Sequence, residues 1–350
     1  METFESLVRA EFTPEHTYLN TASNALLPAR TVAALAEAAR MRAGGRSLTS
    51  LYEDVEASRS AYAVLAGVPV ERVATGSTAA LYTALVAASL PPGADVLTVE
   101  DDFASVVNAF HVRGDLKVRA VPLERLADSV RPDTALVAVS AVQSADGRIA
   151  DLPALREAAR THGARTYVDF SQGAGWLDMD AGAYDYSVSI TYKWLLGPHG
   201  AAFLVVPEDF GDLRPVQTSW VGAEVPWESC YGPVTEPARS ARRFDASPAL
   251  FTFAGLRPSL ELLAALDVDT VRAHDLVLAE RFRAGLAEAG HTPVPAPGSP
   301  IVSVPGLGHR QAELAKSGIQ VSDRAGHLRA SFHLYNTAAD VDRLLDALTG

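Results

Sequence analysis

The chain has 350 residues, with 30 lysines and arginines against 42 aspartates and glutamates, so its formal net charge is −12. Hydrophobic residues make up 48% of the chain and charged residues 21%, which is typical of a globular protein and excludes a disordered or collagen-like one. The negative charge argues against binding to nucleic acid or to an anionic membrane, because phosphate contacts need clustered lysine and arginine.

The first residues, METFESLVRAEF, are acidic and lack the hydrophobic core of a signal peptide. No apolar run approaches the roughly 20 residues that span a bilayer. The single cysteine, Cys230, excludes an internal disulfide framework and a multi-cysteine metal site, so no metal is expected. The length allows roughly two domains. We therefore expect a cytoplasmic enzyme or a soluble binding protein.

Short apolar strands alternate with helical segments over the first 206 residues. Helices are predicted over residues 31–43, 51–66, 78–89, 105–113 and 152–162. Strands are predicted over residues 96–99, 118–121, 136–140, 166–170, 186–190 and 202–206. Apolar strands of this length between amphipathic helices predict an α/β fold, with a parallel or mixed sheet covered on both faces.

The pattern changes at residue 207. Residues 207–248 contain six prolines and little periodicity, and a segment this long is expected to be functional or interfacial. Its candidates for substrate contact are Trp220, Trp227 and Arg242 or Arg243, and the alternative is that they pack a dimer interface.

The remaining residues return to regular periodicity. Residues 249–289 read as helix, and strand, helix, strand and helix follow over residues 301–304, 310–316, 328–332 and 338–348. We expect an N-terminal segment over the active site (1–25), a large domain (26–248) and a small α+β C-terminal domain (249–350).

Two places at strand ends are candidates for ligand binding. At Ser77 and Thr78 a strand gives way to a helix, whose free N–H groups and two hydroxyls suit a phosphate. The alternative is an ordinary helix N-cap. Asp169 ends a strand at the sheet edge where α/β proteins bind ligands, with Gln172 three residues on. Asp169 has the alternative of capping the next helix.

Two basic residues lie in apolar surroundings. Lys193 stands between Tyr192 and Trp194, where desolvation would lower its pKa and make the amine usable in chemistry. The alternative is a lysine whose stem packs while its amine reaches water. Arg329 falls within an apolar strand and needs a partner, either a ligand carboxylate bound in bidentate fashion or an internal ion pair.

Together these segments resemble the class V aminotransferase family of pyridoxal-phosphate (PLP) enzymes, which includes cysteine desulfurases, kynureninase and isopenicillin N epimerase-like proteins. The decisive segments are YVDFSQGAG and SITYKWLLGPHG, which place Asp169 and Lys193 24 residues apart. YLNTASNALLP near the start and LRASFHLYNTAADVDRLLDAL near the end extend the resemblance to nearly the whole chain. It implies PLP-dependent transferase fold type I, with a mixed, mostly parallel seven-stranded sheet in the large domain.

The resemblance also implies roles around the cofactor pyridoxal 5'-phosphate. Lys193 would form the Schiff base, and Asp169 would pair with the pyridinium nitrogen and keep the ring an electron sink. Gln172 matches the residue that bonds the ring hydroxyl. Phe103 falls where relatives place a stacking histidine or aromatic, and it can only stack.

Other matches concern the phosphate and the substrate. Phosphate-binding positions of the family are matched by Ser77, Thr78 and Tyr192. Relatives often carry a serine three residues before the lysine, where this chain has Ile190, and Thr191 is expected to take over the contact of that serine. Arg329 matches the arginine that binds the substrate carboxylate, and the loop with Asn20 and Ala22 would also line the substrate. Ser247 falls near a position that reaches the neighbouring subunit's cofactor, which implies a homodimer with shared active sites.

The resemblance leaves the reaction open. Desulfurases carry a persulfide-forming cysteine in the loop before the carboxylate arginine, but residues 317–328 contain no cysteine, so we exclude that activity. We expect a PLP enzyme that removes the Cα proton of a small amino-acid substrate, with aminotransferase-type chemistry. The alternatives are a C–S lyase acting by β-elimination, an epimerase, or a non-catalytic binding module of the same fold. A nucleotide-binding protein is disfavoured because both glycine-rich fingerprints are missing.

Overall fold

The computed structural model describes residues 4–349. Its α-helices are α1 (Phe4–Glu11), α2 (Ala29–Ala43), α3 (Leu51–Leu65), α4 (Ala79–Ser89), α5 (Ala104–Val112), α6 (Leu152–His162), α7 (Leu250–Leu266), α8 (Val268–Glu288), α9 (Gln311–Lys316) and α10 (Ala338–Thr349). Its strands are β1 (Thr17–Tyr18), β2 (Val73–Gly76), β3 (Asp95–Val99), β4 (Lys117–Val121), β5 (Thr134–Ser140), β6 (Arg165–Asp169), β7 (Tyr186–Ile190), β8 (Ala202–Val205), β9 (Ile301–Val304), β10 (Ile319–Gln320), β11 (Ser322–Arg324) and β12 (His327–Ser331). No helix among these residues is long and apolar enough to cross a membrane.

The largest sheet has seven strands in the order β2-β8-β7-β6-β5-β3-β4. Strand β8 is antiparallel to both neighbours, and the other adjacent pairs are parallel. Every residue of β3, β7 and β8 is buried. Strand β8 reads as a continuous apolar run, as burial on both faces predicts, whereas β7 carries two buried serines. Because β8 alone is reversed, the other six strands end at the same edge of the sheet.

Helices cover both faces of this sheet, as the alternation of strands and helices predicts. Helices α4 and α5 pack on one face, where Leu85 and Phe110 join the strand residues of one apolar cluster. Helices α3, α6 and α7 supply Tyr62, Leu155 and Leu256 to a larger cluster on the other face. The sheet is therefore buried between two helical layers, and its edges are left for binding.

The C-terminal part has its own sheet, in the antiparallel order β11-β12-β9. Helices α8 and α10 pack on this sheet, and Phe282 and Leu344 join Val302 and Leu328 in a third apolar cluster. Strand β1 pairs with β10, so the N-terminal segment lies against the C-terminal sheet. This pairing brings residues from the start of the chain to the strand that carries Arg329.

The predicted α/β architecture with a smaller α+β part is confirmed, and most predicted strands and helices match the observed ones to within one or two residues. The exception is residues 249–289, which form two helices separated at Asp267, a residue with positive φ (64°). Helix α7, which the sequence places in the small domain, packs along α2 and α3 and shares the core of the large sheet. Within residues 207–248 the regular elements are three short 3-10 helices. The pattern does not predict α1 and the short strands β1, β10 and β11, because a few residues carry no clear periodicity.

Candidate active site

The predicted cofactor residues lie along the edge where the six strands end. Asp169 is the last residue of β6, and Lys193 follows β7 by three residues. Phe103 precedes α5, after the end of β3, and Thr78 caps α4 after β2. Neighbouring parallel strands bring their carboxyl ends together, so residues up to 115 positions apart in sequence meet at one crevice.

Lys193 is only 5% exposed, and its amine faces aromatic rings. The Nζ atom lies 5.2 Å from the centroid of the Phe103 ring and 6.0 Å from that of Tyr192. Burial lowers the pKa of this amine to about 8, with Asp169 opposing the shift and Arg329 and Arg324 adding to it. A substantial part of the amine is therefore neutral near physiological pH and able to act as nucleophile or base.

Asp169 is buried with one carboxylate oxygen free. Its Oδ1 accepts a hydrogen bond from the Ser171 N–H at 2.6 Å, and no donor among residues 4–349 bonds to Oδ2. Burial raises the pKa of this carboxyl, while the Ser171 hydrogen bond and Lys193 act in the other direction. A free oxygen on a buried carboxylate suits a protonated ring nitrogen.

Asp102 supports this edge, although the sequence analysis did not select it. Its carboxylate accepts the N–H of Phe103 at 2.7 Å and the N–H of Ser140 at 2.8 Å. These two bonds tie the segment after β3 to the end of β5. They hold the Phe103 backbone in place, and its ring remains 47% exposed above the crevice.

Gln172 and Thr191 are placed beside the crevice with their hydrogen bonds already made. The Gln172 amide donates to Ala22 O at 2.9 Å and Ser144 Oγ at 3.0 Å, and its oxygen accepts from Trp194 Nε1 at 2.8 Å. Toward a ring hydroxyl, Gln172 therefore has one acceptor lone pair to offer.

The Thr191 hydroxyl donates to Pro198 O at 2.8 Å and to Ala201 O at 3.2 Å. A phosphate contact from this hydroxyl would have to break those bonds, since a hydroxyl has a single proton to donate.

The predicted phosphate turn begins α4. Ser77 and Thr78 are exposed, and Thr78 Oγ1 accepts the N–H of Leu81 at 3.2 Å as an N-cap. At Gly76 a Cβ would lie 2.8 Å from the Tyr82 hydroxyl, so this position needs glycine. The Ala246 N–H donates to Thr75 O at 3.1 Å, so the chain leading to the exposed Ser247 runs beside β2.

Arg329 is 1% exposed and has no carboxylate partner among residues 4–349. Its Nη1 donates to the carbonyl and hydroxyl of Ser144, and its Nη2 donates to Ser23 Oγ at 2.7 Å. Its Nε has no partner among the described residues. Burial, with a smaller effect from the nearby Arg324, lowers the pKa of this guanidinium to about 9. Of the two alternatives for Arg329, the internal ion pair is therefore wrong.

Asn20 and Ala22 belong to the same part of the site. The Ala22 N–H donates to Ser331 Oγ at 2.9 Å, two residues along β12 from Arg329. Asn20 Oδ1 accepts from Ser322 Oγ at 2.6 Å, and Ser322 Oγ lies 3.0 Å from Ser23 Oγ. The N-terminal segment thus lines the surroundings of Arg329 with polar groups.

The candidates from residues 207–248 lie elsewhere. The Trp220 and Trp227 rings pack with centroids 4.8 Å apart and both contact Tyr52. Arg242 donates to carbonyls of its own segment, and Arg243 lies over the Phe210 ring at 4.6 Å. None of the contacts described for these four residues involves Lys193 or Arg329.

Three residues near Arg329 were missed from the sequence. Ser23, Ser144 and Arg324 surround it or share its partners. Ser23 and Ser144 have no sequence signal beyond their position in loops. Arg324 stands before Ala325-Gly326, and a glycine that can adopt positive φ between two short segments is a weak hairpin signal that could have placed Arg324 opposite β12.

The donor set fits PLP. Lys193 offers a buried amine without a hydrogen-bond acceptor among residues 4–349, and the ring of Phe103 lies beside this amine. Asp169 offers a carboxylate oxygen without a hydrogen bond from residues 4–349. The start of α4 offers N–H groups and hydroxyls for a phosphate. These groups correspond in kind to the aldehyde, the ring nitrogen, the ring face and the phosphate of the cofactor.

Comparisons with known proteins match most of the chain to one family of PLP enzymes. The family model described as aminotransferase class-V matches residues 17–344. The chain is 30% identical to isopenicillin N epimerase of Amycolatopsis lactamdurans, covering 96% of this chain and 95% of that protein. It is 26% identical to the uncharacterized aminotransferase YcbU of Bacillus subtilis, covering 87% of this chain and 85% of that one.

Among solved structures, the cysteine desulfurase CsdA of Escherichia coli superposes with a TM-score of 0.86 at 21% identity, covering 99% of this chain and 98% of that one. This likeness confirms the predicted PLP-dependent transferase fold type I. The predicted cofactor class, pyridoxal 5'-phosphate, is confirmed as well, and the chain belongs to the class V aminotransferase family.

Proposed function

We propose that the protein is a PLP-dependent enzyme that removes the Cα proton of an amino-acid substrate and turns it over as an aminotransferase. The observation that carries this proposal is the buried Arg329, which lacks an ionic partner among residues 4–349 and lies near a buried amine. A buried guanidinium is costly unless an anion pairs with it, and an amino-acid carboxylate supplies two oxygens for its fork.

Each residue has a distinct task in this proposal. PLP, when bound, supplies an electron sink for the electrons left at Cα. Asp169 holds the proton on the ring nitrogen, Phe103 covers the ring face, and Lys193 anchors the cofactor through its amine. Arg329 orients the substrate by its carboxylate. Lys193, once released, takes the Cα proton and can return it at a second position, which is general acid–base catalysis by one group.

β-Elimination is the second candidate reaction, because a phenylalanine at position 103 is as compatible with it as with transamination. Phe103 contacts the Lys193 amine but cannot carry a proton, so Lys193 is the base in either reaction. Elimination needs that base to remove one proton before a β-substituent leaves. Epimerisation is the third possibility, in keeping with the Amycolatopsis lactamdurans relative. We exclude desulfurase chemistry because the segment before Arg329 contains no cysteine, and Cys230 lies beside Trp227.

The experiment is a screen of amino acids and cysteine conjugates with the holoenzyme and a 2-oxo-acid acceptor, followed by product analysis. A keto acid formed together with an aminated acceptor supports the aminotransferase. Pyruvate with free ammonia would instead identify a lyase. A substrate recovered with inverted configuration would identify an epimerase. Unchanged turnover in a Lys193→Ala variant would overturn the shared mechanism. The homodimer with a contribution from Ser247, and the cytoplasmic location, stay predictions.

A further inference from the structure

A second arginine stands next to Arg329. Strands β11 and β12 form a hairpin in which Ser322 pairs with Arg329 and Arg324 pairs with His327. Paired residues and residues two apart lie on the same face of a sheet, so Arg324 and Arg329 share a face. The two-residue turn has positive φ at Ala325 (52°) and Gly326 (81°), which suits a tight hairpin and holds Arg324 in register.

The two guanidinium groups meet at one hydroxyl. Arg324 Nη2 donates to Ser23 Oγ at 2.9 Å and Arg329 Nη2 donates to the same atom at 2.7 Å. Arg324 Nη1 donates to the carbonyl of Asp323 at 2.7 Å, which fixes the direction of its side chain. Arg329 is buried, whereas Arg324 is exposed, so the pair runs from the interior of the site toward solvent.

Neither charge is neutralised by the protein. Among residues 4–349 no carboxylate forms an ion pair with Arg324 or Arg329, although most of the other arginines have one. The neighbouring Asp323 carboxylate accepts the Gly326 N–H at 2.9 Å instead. Two positive charges are thus held together in a chain of net charge −12, and both act on the Lys193 amine, lowering its pKa. Like charges placed together repel, so an anionic ligand of two charges would stabilise this arrangement.

We propose that Arg324 binds a second anionic group, carried by the side chain of the substrate, while Arg329 binds the α-carboxylate. The substrate is then an acidic amino acid, and Ser23 sets the spacing of the two arginines. This inference rests on the proposed function for its account of Arg329, but Arg324 makes a separate prediction about ligand charge. Arg324 is a specificity-determining residue here, and the proton transfers stay with Lys193.

The test compares ligands of one shape that differ by one charge. Binding of glutarate and of its monoamide to the holoenzyme is measured by calorimetry, and kcat and KM are measured for L-glutamate and L-glutamine. Arg324→Gln is compared with Arg324→Lys and with a control, Arg131→Gln, whose exposed arginine precedes β5 at the opposite edge of the sheet.

We expect Arg324→Gln to weaken glutarate binding on the order of tenfold, as for a lost hydrogen bond to a charged group, and to leave the monoamide within about twofold. KM for L-glutamate should rise by a larger factor than kcat changes, because the distal contact is the same before and during reaction. Arg324→Lys should keep most of the preference for glutarate, and Arg131→Gln should change neither ligand.

Equal weakening of both ligands would show that Arg324 acts on the shared carboxylate, and no change in either would show that it binds no ligand group. Both results overturn the inference. The calorimetric comparison does not depend on turnover. If no amino acid reacts, the proposed function fails, but the preference for glutarate over its monoamide can still be measured. If an active enzyme lacks this preference, only the inference about Arg324 fails.

Discussion

The Lys193 amine lies 5.2 Å from the centroid of the Phe103 ring, although the two residues are 90 positions apart in the sequence. One follows β7 and the other follows β3, so the parallel sheet brings them together at its carboxyl edge. Burial of the amine by this ring and its neighbours lowers the pKa of Lys193 to about 8. The reactive, neutral form of the amine is therefore available at lower pH than in an exposed lysine.

This pKa predicts how the apoenzyme takes up its cofactor. The neutral amine is the nucleophile, so the rate of PLP uptake should rise with pH and level off above about 8. Asp169 raises this pKa and Arg324 lowers it, so Asp169→Asn should move the midpoint to lower pH and Arg324→Gln to higher pH. The rate is followed by cofactor absorbance, and a midpoint near that of free lysine would contradict the burial of Lys193.

Arg329 is expected to bind the substrate carboxylate and to lower the folding stability of the protein. The pKa of Arg329 is lowered to about 9, so between that value and the ordinary pKa of arginine this residue binds fewer protons in the folded state than in the unfolded one, and its contribution to stability rises with pH there. Replacing even a buried ion pair by apolar side chains is often neutral or stabilising by about 1–4 kcal/mol, and Arg329 has no carboxylate among residues 4–349 to offset its desolvation. Arg329→Met should therefore match or exceed the wild-type free energy of unfolding in denaturant.

The same Arg329→Met variant should have a KM for amino-acid substrates raised by a factor of ten or more, on the order of the charge-assisted bonds it loses. Arg131→Gln is the control for losing an exposed arginine. A variant that loses several kcal/mol of stability, or that keeps the wild-type KM, would identify Arg329 as a structural residue.

A buried ion pair, Arg59–Asp245, holds β2, the strand that leads to the predicted phosphate turn. Arg59 donates to both oxygens of Asp245 at 2.6 and 3.1 Å, and Asp245 also accepts the Thr75 N–H at 2.8 Å. Breaking one partner of such a pair costs about 3–5 kcal/mol, because the other charge stays buried. Asp245→Asn should lower the free energy of unfolding by up to that amount, because Arg59 keeps its partly exposed second partner Glu56 at 3.1 Å.

The matched control for Asp245→Asn is the exposed pair Arg281–Asp342, whose atoms are 2.7 Å apart. Surface pairs contribute about 0–1 kcal/mol, so Asp342→Asn should change stability little. The comparison is made by urea unfolding of both variants. Equal losses in the two variants would contradict the argument, since only the first pair is withdrawn from water.

The sequence predicts the large sheet well and the surroundings of Arg329 poorly. Strands such as Ala202–Val205 are buried on both faces and read as apolar runs, so their position and the residues at their ends are visible in the pattern. Ser23 and Ser144 are near Arg329 only because two separate loops fold onto β12, and Arg324 is near it because the short strand β11 pairs with β12. Such contacts between distant segments leave no periodic signal, and β11 has just three residues.

The partner of Arg329 cannot be predicted from the sequence for the same reason. The sequence places an arginine in an apolar strand and leaves open whether a protein carboxylate pairs with it. That choice depends on which side chains the N-terminal segment brings to the strand, and those are serine and asparagine. Their neutral oxygens leave the charge unpaired, which supports a ligand carboxylate.

The measurement that tests the central claim most directly is borohydride reduction of the holoenzyme, followed by proteolysis and mass spectrometry. The chain contains three lysines, and Lys117 and Lys316 are exposed whereas Lys193 is buried beside Asp169 and Phe103. The account predicts that the reduced cofactor is found on Lys193, and that Lys193→Ala carries no label while Lys117→Ala is labelled as the wild type. Label on Lys117 or Lys316, or an unlabelled active enzyme, would contradict it.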